Sequence, residues 1–272
     1  MNALRLKSKM NRLIAVLEQY DSLIVAFSGG VDSSFLLAVA HGVLGAKVWA
    51  VTAESPVHPP RESKAAAEFA RKLGVAHIVL PSREMSLPGF VANARDRCYI
   101  CKKQVLGDII ALAAAKGVSH VAHGANVDDL GDFRPGFKAA AEMGVVAPLI
   151  EAGLAKNEIR QLSKAMHLNT WDKPAIACLA SRIPYGTPIT RQALQMVAQA
   201  EDFILRCGFK SCRVRHHGEV ARIELAPTDL PIISRRDMRR KIVRQFKAIG
   251  FVYVTVDLEG YRQGSLNRAI EN

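Results

Sequence analysis

Two strings of residues in this chain have the types and spacing for chemistry. The first is SGGVDSS, Ser28 to Ser34, which follows an apolar run and leads into a helical one. Its adjacent glycines, Gly29 and Gly30, permit a tight turn that directs several backbone N–H groups to one point, and the helix after them adds its dipole. Such a loop cradles an anion, a phosphate above all. No lysine precedes the final serine, so this is not a GxxxxGK[ST] loop; the glycines adjoin, so it is not a dinucleotide fingerprint. The plain alternative is a strand-to-helix turn with Asp32 or Ser33 as its cap.

The second string is RDRCYICKK, in which Cys98 and Cys101 form a CxxC among basic residues that favour thiolates. Read alone, a CxxC is a redox pair, a pair of metal ligands or two buried thiols. A third cysteine, Cys178, stands in PAIACLASR. Cys207 and Cys212 read as core residues of an apolar helix end and a strand. The remaining three, Cys98, Cys101 and Cys178, fit an iron–sulfur cluster with one iron left open.

The elements that must position these groups alternate in period. Apolar runs at 22–28, 47–53, 76–81 and 119–124 suit buried strands, and helical stretches at 33–45, 60–74 and 101–117 lie between them, each ending in Gly. An amphipathic helix precedes them over the first twenty or so residues, and another is expected from Leu154 to His167. The alternation predicts an α/β fold with a parallel sheet, whose ligands bind beyond the carboxyl ends of the strands. Function is therefore sought at Ser28, Ala53, Pro81 and Gly124. A Pro-rich stretch, Trp171 to Thr190, is either a linker or a catalytic loop. A helix (191–207), strands (212–217 and 220–225), a basic helix (234–248) and a last strand (251–257) then predict a smaller α+β domain. The expected division is 1–170, a loop at 171–190, and 191–272.

Placed after a hydrophobic strand, SGGVDSS resembles the PP-loop motif of the ATP pyrophosphatase superfamily, whose fold is adenine nucleotide alpha hydrolase-like. The resemblance implies that Ser28, Gly29, Gly30, Asp32, Ser33 and Ser34 bind the pyrophosphate end of ATP, with Asp32 holding Mg²⁺. The bond broken lies between the α and β phosphates, so an oxygen of the substrate is adenylated and pyrophosphate leaves. Glu54 and Ser55, at the end of the second strand, fall where base or ribose contacts occur in that superfamily; the alternative is a capped turn before Pro56. The string GANVDDLGDFRPG (124–136) brings Gly124, three aspartates and Arg134 over the same strand edge, and Asp128 and Asp129 are the candidates there for Mg²⁺ or substrate. An adenylated carboxylate is an electrophile, and a sulfur nucleophile displaces AMP from it.

SGGVDSS, GANVDDLGDFRPG, ACLASRIPYGTPIT and RVRHHGEVARIE together resemble the ATP-dependent sulfur transferases of the LarE type, over nearly the whole chain and in order. The resemblance implies adenylation of a carboxylate of pyridinium-3,5-biscarboxylic acid mononucleotide and its conversion to a thiocarboxylate, twice over, for a nickel-pincer cofactor. Some members donate the sulfur of one cysteine at the Cys178 position and end as dehydroalanine; others hold a [4Fe-4S] cluster on three cysteines. Cysteine at all three positions resembles the cluster type, with the source of replacement sulfide open. Ser181, Arg182, Arg213 and Arg215 are the candidates for the anionic mononucleotide, because arginines two apart on a strand face one way and can grip a phosphate. Glu224 could orient an arginine or hold a metal, and Glu219 has no assigned role. The family suggests a homo-oligomer, a hexamer.

Composition bounds these readings. The 272 residues carry 37 basic and 25 acidic side chains, net +12, which predicts an anionic partner. The longest uncharged stretch, Ser33 to Ala46, has 14 residues, so no membrane span is expected. The N-terminus lacks a signal-peptide cleavage pattern and cysteines are sparse, which suits a reducing, cytoplasmic setting. Between Arg206 and Lys247, twelve Lys or Arg face four Asp or Glu. That density also suits nucleic acid, so tRNA 2-thiolation is the competing enzyme, although no zinc ribbon or added RNA-binding domain supports it. A regulatory protein that binds ATP without turnover is the competing non-enzyme.

Overall fold

The computed structural model describes residues 3–131, 135–174 and 177–262. Asp132 and Arg134 of the GANVDDLGDFRPG string, and Ala175 and Ile176 before Cys178, lie outside the described residues. The chain divides into two units, Met1–Phe90 with Asp96–Ile176, and Val91–Arg95 with Ala177–Asn272. Among the described residues no helix is long and apolar enough to cross a membrane.

The first unit is an α/β layer structure. Its elements in order are α1 (Ala3–Leu17), β1 (Leu23–Ala26), α2 (Val31–Leu44), β2 (Val48–Glu54), α3 (Pro60–Leu73), β3 (Ala76–Pro81), α4 (Pro88–Val91), α5 (Arg97–Ala115), β4 (His120–His123), α6 (Pro135–Glu142), α7 (Pro148–Glu151) and α8 (Lys156–Ala165). The four strands pair in parallel in the order β3-β2-β1-β4. Their apolar residues alternate between two cores. Leu23 and Val25 of β1 face Leu17, Phe35, Leu36, Phe69 and Ile159, whereas Ile24 joins Val51, Val121, Leu106 and Ile109 on the opposite face. Helices cover both faces, which is why the strands read as continuous apolar runs.

Two features depart from the expected pattern. Val146 forms a parallel bridge with Ala122, at the edge beyond β4, through two backbone hydrogen bonds to Val121 and His123. A contact one residue long has no periodicity to betray it. The helical stretch expected from residue 101 begins at Arg97, and Cys98 and Cys101, whose CxxC was expected to open a helix, lie at its N-terminal end.

The second unit contains α9 (Arg191–Arg206), β5 (Arg213–His217), β6 (Val220–Glu224), α10 (Leu230–Ile233), α11 (Arg236–Ile249) and β7 (Tyr253–Val256). Strands β5 and β6 are antiparallel, and β7 lies parallel to β6. Val214, Ala221 and Ile223 pack with Ile204, Ile242 and Phe246 of α9 and α11. Residues 91–95 also belong here, a piece the expected division assigned to the first domain. Asn93, fully buried with φ +59°, donates from its side-chain amide to the carbonyls of Pro184 (2.7 Å) and Thr187 (2.8 Å), and Ile189 N donates to Val91 O at 2.8 Å.

Candidate functional site

From β1 the sheet grows to β2 and β3 on one side and to β4 on the other. The carboxyl ends of β1 and β4 therefore bound the crevice where the strand order reverses, the place where open α/β sheets bind ligands. SGGVDSS leaves β1 at that crevice and the Gly124 loop leaves β4 beside it. Both glycines are held by close approach. Gly29 has φ +70°, and a Cβ on it would stand 3.0 Å from Cβ of Ala66. A Cβ on Gly124 would stand 2.7 Å from the backbone nitrogen of Ser33, so only a glycine lets the β4 loop lie against the start of α2.

The loop is organised by its own hydroxyls. Ser28 Oγ and Ser33 Oγ are 3.1 Å apart, and Gly30 N donates to Ser28 Oγ at 3.4 Å. Ser34 N closes the first turn of α2 on Gly30 O. The N–H groups of Val31, Asp32 and Ser33 have no carbonyl within the helix to bond, as at any helix start, and this end of the dipole is positive.

Asp32 carries an ion pair with Lys156 through one oxygen, Oδ2. Its other oxygen, Oδ1, is buried with no hydrogen-bond partner among the described residues, as is Ser34 Oγ. Burial raises the carboxyl pKa above its ordinary value, Lys156 pulls it back, and the neighbouring Asp129 charge raises it further. A hard divalent cation such as Mg²⁺ fits a buried, unpartnered carboxylate oxygen beside a phosphate loop. Asp128 and Asp129 structure the adjoining loop. Asp128 Oδ2 accepts the backbone N–H of Lys156 at 2.8 Å, and Asp129 Oδ2 accepts that of Asn126 at 3.0 Å.

Two lysines that the sequence did not single out thus join the site. Besides Lys156, Lys173 donates to Gly29 O at 2.9 Å and pairs with Glu62 at 2.7 Å. Arg160 fixes that segment by donating to the carbonyls of Trp171 and Lys173. A lysine as the first residue of a helix opposes the macrodipole, and that mismatch at Lys156 was the available signal. Lys173 lies in irregular chain and offers none.

Glu54 is exposed at the end of β2. Ser55 is not: its hydroxyl donates to the fully buried Glu84 and accepts Val57 N at 3.1 Å, which is the geometry of a capped turn before Pro56. Cys98 is exposed and Cys101 half-buried at the positive end of the α5 dipole. Among the described residues of this unit no three acidic, histidine or cysteine side chains gather as a metal site.

In the second unit, Cys178 is half-buried and precedes a short turn, Leu179–Arg182. The arginines expected to grip substrate are committed to the protein. Arg182, 1% exposed, pairs with Glu201 at 2.8 Å and donates to the carbonyls of Ala177 and Cys178 and to Ser181 Oγ. Arg215 pairs with the buried Glu224 through two bonds of 2.7 and 2.8 Å and donates to Ser181 O at 2.7 Å. Glu224 therefore orients Arg215 and also holds Arg222 at 3.1 Å. Arg213 stacks over Tyr261 with its guanidinium 5.0 Å from the ring centre. Arg182 and Arg215 thus shape the Cys178 turn. Glu201, which the sequence reading did not name, falls on the apolar stripe Leu194, Val197, Ile204 of α9, and an acid on such a stripe was its signal.

Comparison with known proteins agrees with this geometry. The asparagine synthase family matches residues 17–99, the span of β1, the phosphate loop and α3. The chain is 42% identical over 265 residues to an uncharacterized protein of Synechocystis sp., covering 97% of this chain and 99% of that one. It is 35% identical over 266 residues to the pyridinium-3,5-bisthiocarboxylic acid mononucleotide synthase of Lactiplantibacillus plantarum, covering 96% and 95%. An uncharacterized protein of Methanocaldococcus jannaschii is 26% identical over 240 residues. With a phosphate loop at the switch point of a parallel sheet and this identity across almost its full length, the chain belongs to the LarE-type family of ATP-dependent sulfur transferases, within the PP-loop superfamily.

Proposed function

We propose that the protein uses ATP to adenylate carboxylates of pyridinium-3,5-biscarboxylic acid mononucleotide and converts them to thiocarboxylates. The observation that carries this reading is the phosphate loop with its unpartnered Asp32 oxygen and Ser34 hydroxyl, in a chain like the Lactiplantibacillus plantarum synthase from end to end. A carboxylate oxygen of the substrate attacks the α-phosphorus of ATP, the bond to the α–β bridging oxygen breaks, and pyrophosphate leaves. The N–H groups at the start of α2 and the hydroxyls of Ser28, Ser33 and Ser34 hold the departing pyrophosphate; Asp32 would hold Mg²⁺, which supplies charge neutralisation when bound. A sulfur nucleophile then attacks the acyl carbon, AMP leaves, and the thiocarboxylate remains.

The sulfur is assigned to a site on Cys98, Cys101 and Cys178. Thiol donors suit iron, and the three residues would hold a [4Fe-4S] cluster, which would supply the sulfur for transfer when bound. Arg182 and Glu201 fix the turn after Cys178 and so hold its thiol in place. A second reading, tRNA 2-thiolation, is favoured by one observation: Arg235, Arg236, Arg239, Arg240, Lys241, Arg244 and Lys247 are all exposed on or beside α11.

The test is pyrophosphate release from ATP with Mg²⁺ and, in turn, the pyridinium dicarboxylate mononucleotide, tRNA, or neither. Release only with the mononucleotide is expected. Asp32→Asn, which keeps the volume and removes the anion, should abolish that release and leave the fold intact. Release at the parental rate in Asp32→Asn would make Asp32 a helix cap, and release with tRNA alone would transfer the function to RNA.

A further inference from the structure

We infer that α11 is a docking face for double-helical nucleic acid, gripping the phosphate backbone without reading the sequence. The inference goes beyond the adenylation reading and does not rest on it: the phosphate loop belongs to the first unit and α11 to the second.

The two sides of α11 have different partners. Met238, Ile242 and Phe246, spaced four apart, pack into the core of the second unit with Ile204 and Phe251. The other side is basic. At 100° per residue, Arg236, Arg240, Arg244 and Lys247 fall within an arc of about 80°, and at 1.5 Å per residue their row is about 16 Å long. All four are exposed. A hollow of about 270 Å³ beside the row is lined by Arg240, Lys241 and Arg244 with Asp237, the one acid of the helix.

That composition costs the helix stability. Like charges three and four residues apart repel, and arginines in the first turn oppose the positive end of the helix dipole. Other helices of the protein meet such charges with an acid one turn away, Glu68 pairing with Lys72 and Asp202 with Arg206. Among the described residues of the second unit the ion pairs are made by Arg182, Arg206, Arg215, Arg222 and Arg262, and by none of the four cations of the row. A bound polyanion relieves the repulsion.

The form of the patch decides which polyanion. A single phosphate meets two or three side chains and leaves the rest of so long a row unused. A protein partner needs apolar or aromatic anchors at the centre of its interface. Among the described residues, none of the large apolar side chains that are exposed lies on α11. A membrane surface takes the apolar stripe of a helix, and here that stripe is already buried in the core. Single strands are held by aromatic platforms on which bases stack, and this face has no aromatic side chain. A duplex backbone remains, a regular line of phosphates whose oxygens the arginine fork bonds two at a time.

The experiment is fluorescence anisotropy of short labelled DNA duplexes of two unrelated sequences, titrated with the whole protein over a range of salt concentrations. One variant carries Arg236→Gln, Arg240→Gln, Arg244→Gln and Lys247→Gln. A second has the same net charge and carries Lys7→Gln, Arg12→Gln, Lys47→Gln and Lys116→Gln, at exposed positions of the first unit. The parental protein should bind both duplexes alike, log affinity falling against log salt with a slope of about −4, the counterions of four phosphates. The α11 variant should lose about ten-fold or more in affinity and most of the slope, while the second variant stays within about three-fold of the parent. Should the α11 variant not fold, as judged by circular dichroism, Arg236→Gln with Arg240→Gln and Arg244→Gln with Lys247→Gln should divide the same loss between them. Equal losses in the two four-site variants would make the binding a matter of net charge and overturn the proposal, as would no binding by the parental protein at low salt. Displacement of the duplex by polyglutamate at equal charge would assign the face to an acidic protein and overturn it as well.

Discussion

His123 ends β4 with its ring set edge-on to Phe137, centroids 5.5 Å apart, and is 9% exposed. Burial, with the Lys102 charge adding to it, pushes its pKa down to about 4. The unfolded chain takes up the proton near the ordinary histidine value of about 6.5, the folded chain only near 4, so acid favours unfolding between those limits. The contribution is fully present above pH 6.5 and is lost as pH falls toward 4. Between pH 7 and pH 5 this residue alone accounts for about 2 kcal/mol. His123→Phe should therefore flatten urea-melt stability between pH 7 and pH 5 relative to the parental protein; an unchanged pH dependence would place the acid-sensitive group elsewhere. At this scale the sequence was legible where a local string sets the backbone, as in the SGGVDSS turn from β1 into α2. It was not legible where a charged group is used internally. Arg182 and Arg215 carry the right charge for a phosphate, and only their burial against Glu201 and Glu224 shows that they build the Cys178 turn.

Strands and helices were read best where a repeating apolar pattern spans several residues. The run at 76–81 is β3 residue for residue, and the helix expected at 60–74 is α3 with Gly74 just past its end. The Val146 bridge escaped, because it depends on contacts distant in sequence, with Val121 and His123. The meeting of the β4 loop with α2 is also long-range and has a sharp test. In Gly124→Ala the new methyl would stand 2.7 Å from Ser33 N and 2.9 Å from Ser33 Cα, which are backbone atoms that cannot rotate aside. The start of α2 must shift, at a cost of about 1–3 kcal/mol in stability. Because that start is the anion site, ATP affinity should fall by about ten-fold or more on the scale of a misdirected helix terminus. Calorimetric titration that finds parental affinity in Gly124→Ala would show that the two loops are not one site.

At the scale of the whole molecule, the proposal that Cys98, Cys101 and Cys178 supply the sulfur is tested on the intact protein. Cys98→Ala, Cys101→Ala and Cys178→Ala should each abolish sulfur transfer, and anaerobically purified parental protein should show the broad visible band of a [4Fe-4S] centre. A sacrificial route needs only Cys178. It predicts full single-turnover activity in Cys98→Ala and a mass loss of about 34 Da at Cys178, the mass of H₂S, and that pair of results would sink the cluster assignment. The short segment 91–95 has a consequence for how such a protein is made and divided. The chain passes between the units three times, after Phe90, Arg95 and Ile176, and Asn93 bonds carbonyls that follow it by about ninety residues. On the ribosome, the sheet of the first unit can close while this loop waits for partners still to be synthesised. Expression of either half alone would leave Asn93 or its carbonyl partners unmet, and a protease cut near residue 176 would nick the chain without separating that segment from its unit. The boundary works as a stitch rather than a seam.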